Sequence, residues 1–306
     1  LSSRLEQSRA RARVAAHLIV GPREEPFLRA LCKSLEGVCD VLIVNDNAPD
    51  PSPHREALQE SAFARAGTLL LDRTPFKDFA AARNICLRLH AEHDAGEWVA
   101  FVDADEVHGF QAARIAANLH RVPPGVDFVD GYTVHFFQSF DWYMSIDRRS
   151  SFFRFRPGIR WERSVHEKLC GLQGARVALP YVYAHYGWVV PARLHAQKGR
   201  QYLSLGAPGR VVEEPQLASL SAETYFEFEH RWTSALRYRG EHPAAARETI
   251  AVIREQRASE FERIDRIIRQ RQTPRVRFRN FFRRLNYAQR WRARAFNPLA
   301  RRLLAE

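Results

Sequence analysis

Trp98-Val99-Ala100-Phe101-Val102-Asp103-Ala104-Asp105-Glu106 is an apolar run that stops at three carboxylates. Val, Phe and Trp suit a strand buried on both faces, and ionised Asp does not. The carboxylates therefore belong where the strand leaves the core. In open α/β sheets that is where ligands bind. Two Asp one residue apart can address one point in space, and a divalent cation carrying a phosphate is the natural guest. An Asp-rich turn capping the next helix fits the same two residues.

Upstream of this segment, strand and helix patterns alternate. Val14 to Val20 is β-rich and ends at Gly21-Pro22, and residues 24–35 place Phe27, Leu28, Leu31 and Leu35 on a helical face. Val41 to Val44 reads as a second strand, followed by the polar cluster Asn45-Asp46-Asn47. Residues 54–66 read as a helix, 68–71 as a third strand, and 79–90 as a helix with Asp78 at its N-cap. This alternation predicts a parallel, doubly wound sheet with right-handed crossovers. Downstream, 128–137, 151–155 and 178–185 are strand-like without intervening helices, so antiparallel strands and active-site loops are expected. From about Leu194 helical patterns dominate, with long helices expected over 222–238 and 243–270 and a boundary near Pro208-Gly209 and Pro215.

Composition narrows the class. The chain has 306 residues, 45% of them hydrophobic, which supports a sizeable folded core and excludes a disordered chain. Cys32, Cys39, Cys86 and Cys170 are scattered and form no Cys-x-x-Cys pair, which argues against a structural zinc site or a disulfide framework. No stretch approaches the ~20 apolar residues of a membrane span, and the polar, Arg-rich residues 2–13 do not read as a signal peptide. A cytoplasmic protein is expected. Charge is concentrated at one end: from Arg275 onward there are ten arginines and one acid, Glu306, which accounts for +9 of a net +12.

Four motifs in order carry a family resemblance. They are Phe76-Lys77-Asp78-Phe79-Ala80-Ala81-Ala82-Arg83-Asn84, the Asp-Ala-Asp-Glu of the opening segment, Trp161-Glu162-Arg163-Ser164-Val165-His166-Glu167-Lys168-Leu169, and His185-Tyr186-Gly187-Trp188. Together they resemble the family 2 glycosyltransferases of the GT-A fold, the last two a bacterial branch of that family, over about Val14 to Tyr202. The resemblance implies a GT-A (Rossmann-like) doubly wound mixed sheet with a helical C-terminal extension. It implies a catalytic domain over 1–205, with a nucleotide-sugar half (14–110) and an acceptor half (111–205), and an extension over 206–306. The activity implied is a metal-dependent, inverting transfer of a sugar, hexosyltransferase-like, from a nucleotide-diphosphate donor to an acceptor hydroxyl. A UDP-sugar is the expected donor, and a bacterial surface glycan or lipid-linked glycan the expected acceptor.

Residue roles follow from that resemblance. Asp46 would bond the nucleotide base. Its neighbours depart from the commoner Asp-Asp-Gly-Ser pattern, so Asn45 or Asn47 could share the role, and an Asx-rich turn fits too. Arg83 and Asn84 would contact base or phosphate, and Asp103 the ribose or donor sugar. Asp105, the second Asp of the DXD motif, would coordinate Mn²⁺ or Mg²⁺, with His185 closing the metal shell. Imidazole beside carboxylate and phosphate favours Mn²⁺. Glu106 would support the following helix. Inversion by a single displacement needs a base, with Glu167 first and His166 and Asp141 as alternatives. Trp161 and Trp188 could stack on a sugar face or pack in the core.

Residues 275–306 form a basic amphipathic segment with Phe278, Phe281, Phe282, Leu285, Trp291, Phe296, Leu299, Leu303 and Leu304 among the arginines. An anionic membrane surface is its expected partner, which would make the protein peripheral on the inner face of the cell membrane. Two rival readings stand beside the transferase. A nucleotidyltransferase also sets an Asp pair and metal on an α/β sheet, but Gly21-Pro22-Arg23-Glu24 is a poor phosphate loop. A non-catalytic protein using the Arg-rich tail on nucleic acid is less favoured, because it leaves the four motifs unexplained.

Overall fold

A computed structural model describes residues 11–109, 111–206, 216, 220–226 and 229–295. Its centre is a nine-stranded mixed sheet built from β1 (Val14–Val20), β2 (Val41–Asp46), β3 (Leu69–Asp72), β4 (Trp98–Phe101), β5 (Glu106–Val107), β6 (Val126–Phe136), β7 (Trp142–Arg154), β10 (Ala175–His185) and β11 (Leu236–Arg237). The order is β3-β2-β1-β4-β7-β6-β10-β5, with β11 on β7, and β8 (Arg160–Glu162) and β9 (Lys168–Cys170) form a separate hairpin. β3, β2, β1 and β4 run parallel. β7 is antiparallel to both β4 and β6, and β10 is parallel to β6. Hence β1, β2, β4, β6 and β10 all end at one edge of the sheet, and chain order reverses between β1 and β4. This doubly wound sheet with C-terminal helices is the Rossmann-like, GT-A-like architecture expected from the sequence.

Apolar patterning explains the first half. β1 and β2 are buried almost throughout because helices cover both faces of the sheet. α1 (Leu28–Leu35) lays Leu28, Leu31, Cys32 and Leu35 on the core. The segment expected as one helix over 54–66 is two, α2 (Arg55–Gln59) and α3 (Ala62–Arg65). The extended backbone of Ser61 separates them, and its hydroxyl accepts from the amide of Ala64 at 3.2 Å. α4 (Phe79–Glu92) starts at Asp78, whose carboxylate accepts from the Ala81 amide at 2.7 Å, as its N-cap reading predicts. α5 (Gln111–Asn118) and α6 (Ala192–Ser204) complete this part.

The C-terminal helices differ from the two long ones expected. Residues 222–238 contain α7 (Ala222–Tyr225), α8 (Glu229–Ser234) and β11, because Leu236 and Arg237 pair with Tyr143 and Trp142 of β7. Residues 243–270 divide into a short 3₁₀ turn, α9 (Arg247–Gln256) and α10 (Ala258–Arg271). The break at Arg257 lets one apolar stripe serve two cores. Ile250 packs near Phe140 and Tyr186, and Ile264 and Ile268 pack around Trp232, Phe137 and Trp142. α11 (Pro274–Ala295) follows. The expected boundary at Pro208-Gly209 and Pro215 lies outside the described residues, as do Phe296, Leu299, Leu303 and Leu304.

Candidate active site

A cleft of about 510 Å³ opens at the C-terminal ends of β1 and β4, where chain order reverses. Gly21, Arg23 and Glu25 come from the loop after β1, Asn47 from the end of β2, and Arg83 from α4. Asp103, Ala104 and Asp105 follow β4, Glu167 lies between β8 and β9, and Lys198 and Tyr202 come from α6. The carboxylates thus leave the core where the strand pattern requires.

Asp103 is held from two sides. Arg83 Nη2 donates to Oδ1 at 2.5 Å and Arg149 Nη2 to Oδ2 at 2.7 Å. Burial opposes its charge, but Arg149 and Arg83 hold the carboxyl far below the usual carboxylate range. Both guanidiniums stand over the Phe101 ring, at 4.3 Å and 4.4 Å from its centroid, so the last side chain of β4 fixes their planes. Arg83 Nε also reaches Glu167 Oε1 at 3.3 Å, which ties the proposed nucleotide and base residues to one cation. Glu106 does not support a helix N-terminus. It forms β5 with Val107, is fully buried, accepts from the Asp103 amide at 3.0 Å and pairs with Arg149. Burial pushes its carboxyl up to about 8 against the pull of Arg149.

Asp105 and His185 meet because β5 pairs with β10 in the register His185↔Glu106. His185 Nε2 lies 3.4 Å from Asp105 Oδ1, and that buried oxygen makes no hydrogen bond. Burial opposes the Asp105 charge, yet His185 and Lys198 hold its carboxyl below the ordinary range. His135, opposite His185 in the register, is 3.1 Å from it between Nδ1 atoms. Gly187 makes the approach possible: a Cβ there would strike Asp105 Oδ2 and lie 2.8 and 2.9 Å from His185 Cε1 and Nε2. A buried carboxylate oxygen without a hydrogen bond and an adjacent imidazole are donors of the kind a divalent cation takes. Among the described residues no group of three or more His, Cys, Asp and Glu could hold a metal, so two protein ligands would need substrate oxygens or water to complete a shell.

The other residues singled out by sequence lie elsewhere. Asp46 turns away from the cleft, accepting from the Ala48 amide at 3.0 Å and pairing with Arg73 at 2.5 Å beside a separate groove. Asn47 lines the cleft instead, with its Oδ1 buried and unpartnered. Both amide atoms of Asn84 bond the Trp161 backbone, at 2.9 and 2.8 Å, stapling α4 to β8. Trp161 alternates inward between exposed Arg160 and Glu162, and stacks on Phe101 at 5.0 Å in the core. Trp188 stacks on His195 at 4.8 Å beneath Arg231. Asp141 is held by Arg254 at 3.0 Å beside the C-terminal helices and does not line the cleft. His166 is exposed, with its ring 6.3 Å from that of Tyr202.

Sequence reasoning missed Arg23, Glu25, Arg149, Lys198 and Tyr202. Arg23 and Glu25 pair at 2.7 Å, and burial and the nearby Asp105 charge raise the Glu25 carboxyl. Their signal was position, directly after a strand whose end faces the site. Gln197, Lys198, Gln201 and Tyr202 share one helical face by spacing and all line the cleft. Arg149 carries no local signal, since it arrives from the antiparallel β7.

No protein-family model matches the chain, and no curated protein matches it. Among solved structures it is similar to S. aureus TarS 1-349, at 17% identity over 40% of this chain and 35% of that one, TM-score 0.28. It is similar to GalNAc-T7 solved with UDP, GalNAc and Mn²⁺, at 12% identity over 54% and 31%, TM-score 0.33. It is also similar to 4-diphosphocytidyl-2C-methyl-D-erythritol synthase, at 8% identity over 46% and 75%, TM-score 0.31. The chain spans less than half of the length of the first two.

Proposed function

We propose that this protein is a glycosyltransferase that moves a sugar from a nucleoside diphosphate to an acceptor hydroxyl, with Mn²⁺ or Mg²⁺ held by Asp105 and His185. The observation that carries the reading is the buried Asp105 oxygen that makes no hydrogen bond and faces His185, with the cations Lys198 and Arg23 acting on the same carboxylate. Carboxylate and imidazole suit a divalent ion, and two nearby cations suit a diphosphate. When bound, the ion would neutralise charge developing on the departing diphosphate.

The chain's own groups then divide the work. Lys198 and Arg23 bind the phosphates, and Asn47 Oδ1 accepts from a donor group of the nucleoside. Asp103, rigid between Arg83 and Arg149, accepts from a hydroxyl of the ribose or the sugar. Glu167 takes the proton of the acceptor hydroxyl as its oxygen bonds the anomeric carbon and the bond to the phosphate oxygen breaks. One in-line displacement inverts the anomeric centre. Arg83 orients Glu167 through Oε1. A UDP-sugar is the donor and a surface or lipid-linked glycan the acceptor.

A thermal-shift panel of nucleoside diphosphate sugars with Mn²⁺ tests the reading, since a specific ligand at ~100 times its Kd stabilises by ~2.7 kcal/mol. One sugar nucleotide should raise Tm, and EDTA should abolish the shift. Pyrophosphate release from a nucleoside triphosphate, with no response to any sugar nucleotide, would instead make the protein a nucleotidyltransferase.

A further inference from the structure

Helix α11 turns its apolar side outward. At ~3.6 residues per turn, Phe278, Phe281, Phe282 and Leu285 fall on one face, with Asn280, Arg283 and Tyr287 on the opposite one. The second face is the docked one. Asn280 Nδ2 donates to the Thr233 carbonyl at 3.0 Å, Arg283 donates to the carbonyls of Ser234 at 2.6 Å and Met144 at 2.7 Å, and Tyr287 packs against the cluster around Phe140 and Tyr186. The first face is left to solvent: Phe278 is 67% exposed, Phe281 56%, Phe282 52% and Leu285 41%.

Charge says what covers this face. Residues 274–295 contain eight arginines and no acid. By helical position, Arg275 and Arg279 border the aromatic stripe on one side and Arg277 on the other. Their bonds within the protein go to carbonyl oxygens, Arg277 to Gln272 at 2.9 Å and Arg279 to Thr233 at 3.1 Å, and no carboxylate among the described residues pairs with them. Beside the helix, a groove of about 350 Å³ adds Arg239 and Arg284 around Tyr143 and Tyr238.

We propose that α11 lies in the headgroup plane of an anionic membrane, with its aromatic face in the lipid and its flanking arginines on lipid phosphates. No helix among the described residues is long and apolar enough to cross a membrane, so the contact lies on the surface. A second copy of the chain would bring eight arginines against eight. A nucleic acid would be met by arginines at the centre of the outward face, where phenylalanines stand instead.

The test is flotation of the full chain with vesicles of phosphatidylcholine alone or with roughly one-quarter phosphatidylglycerol. The wild type should float with the anionic vesicles only, and less so as salt rises. Phe278→Ser/Phe281→Ser/Phe282→Ser should keep the wild-type Tm and lose about ten-fold or more of the binding. Arg275→Gln/Arg277→Gln should weaken binding and flatten its salt dependence. The proposal is overturned by equal flotation of the Phe variant, or by flotation indifferent to phosphatidylglycerol. It is equally overturned by absent flotation with the anionic vesicles; a Phe-dependent dimer in light scattering would then assign the face to a second copy, and Phe-independent binding to duplex nucleic acid would assign the arginines to that partner.

Discussion

In the strand-end cleft and the sheet just beneath it, Asp103, Glu106 and Glu167 are each met by an arginine, Arg83 or Arg149. On α11, Arg275, Arg277 and Arg279 meet no carboxylate among the described residues. The difference follows from burial. A charge taken from water must find its partner inside the fold, whereas an exposed one can stay solvated until a partner arrives from outside. Within the cleft, Asp105 stands between these cases. It is buried, and one oxygen lacks a hydrogen bond. That open acceptor beside His185 is where the proposed cation would sit.

Breaking that contrast at its open point should have the largest effect. Asp105→Ala should lower transfer by ~10³-fold or more and abolish Mn²⁺-dependent nucleotide binding in calorimetry. Normal turnover would remove the metal assignment. Glu167→Gln keeps the contact to Arg83 but removes the base. A loss of ~10²-fold or more in kcat with unchanged donor affinity is expected, and unaltered kcat would move the base to Glu25 or His166. Arg149→Ala sharpens the contrast on the stability side, because it takes one of the two arginines from the ionised Asp103 and leaves the buried Glu106 without its ion-pair partner. A loss of ~3 kcal/mol should appear in urea unfolding. Arg277→Gln on α11 should change stability by no more than ~0.5 kcal/mol, and a larger loss would mean that its charge is answered within the fold.

The first half of the fold was legible because each element declares itself locally. Buried parallel strands are continuous apolar runs, and helices show their period and caps, as Val14–Val20 and Asp78 do. The long C-terminal helices were misread because Leu236 and Arg237 have a helical continuation in sequence but a strand partner in β7. Trp161, Asn84 and Asp141 needed the fold to place them. A tryptophan before a motif is the same residue whether it faces a sugar or, as here, Phe101.

Composition and periodicity alone determined that the chain is an α/β protein, that carboxylates gather where β4 ends, and that positive charge collects near the C-terminus. These properties depend on neighbours a few residues apart. Only the tertiary structure decided that Asn47 rather than Asp46 faces the cleft, that Arg149 braces Asp103 from an antiparallel strand, and that His185 meets Asp105 with Gly187 making room. It also decided which face of α11 is docked and which is left outward. Such contacts join residues as many as 139 positions apart. They are set by strand register and helix docking, which no local stretch of sequence encodes.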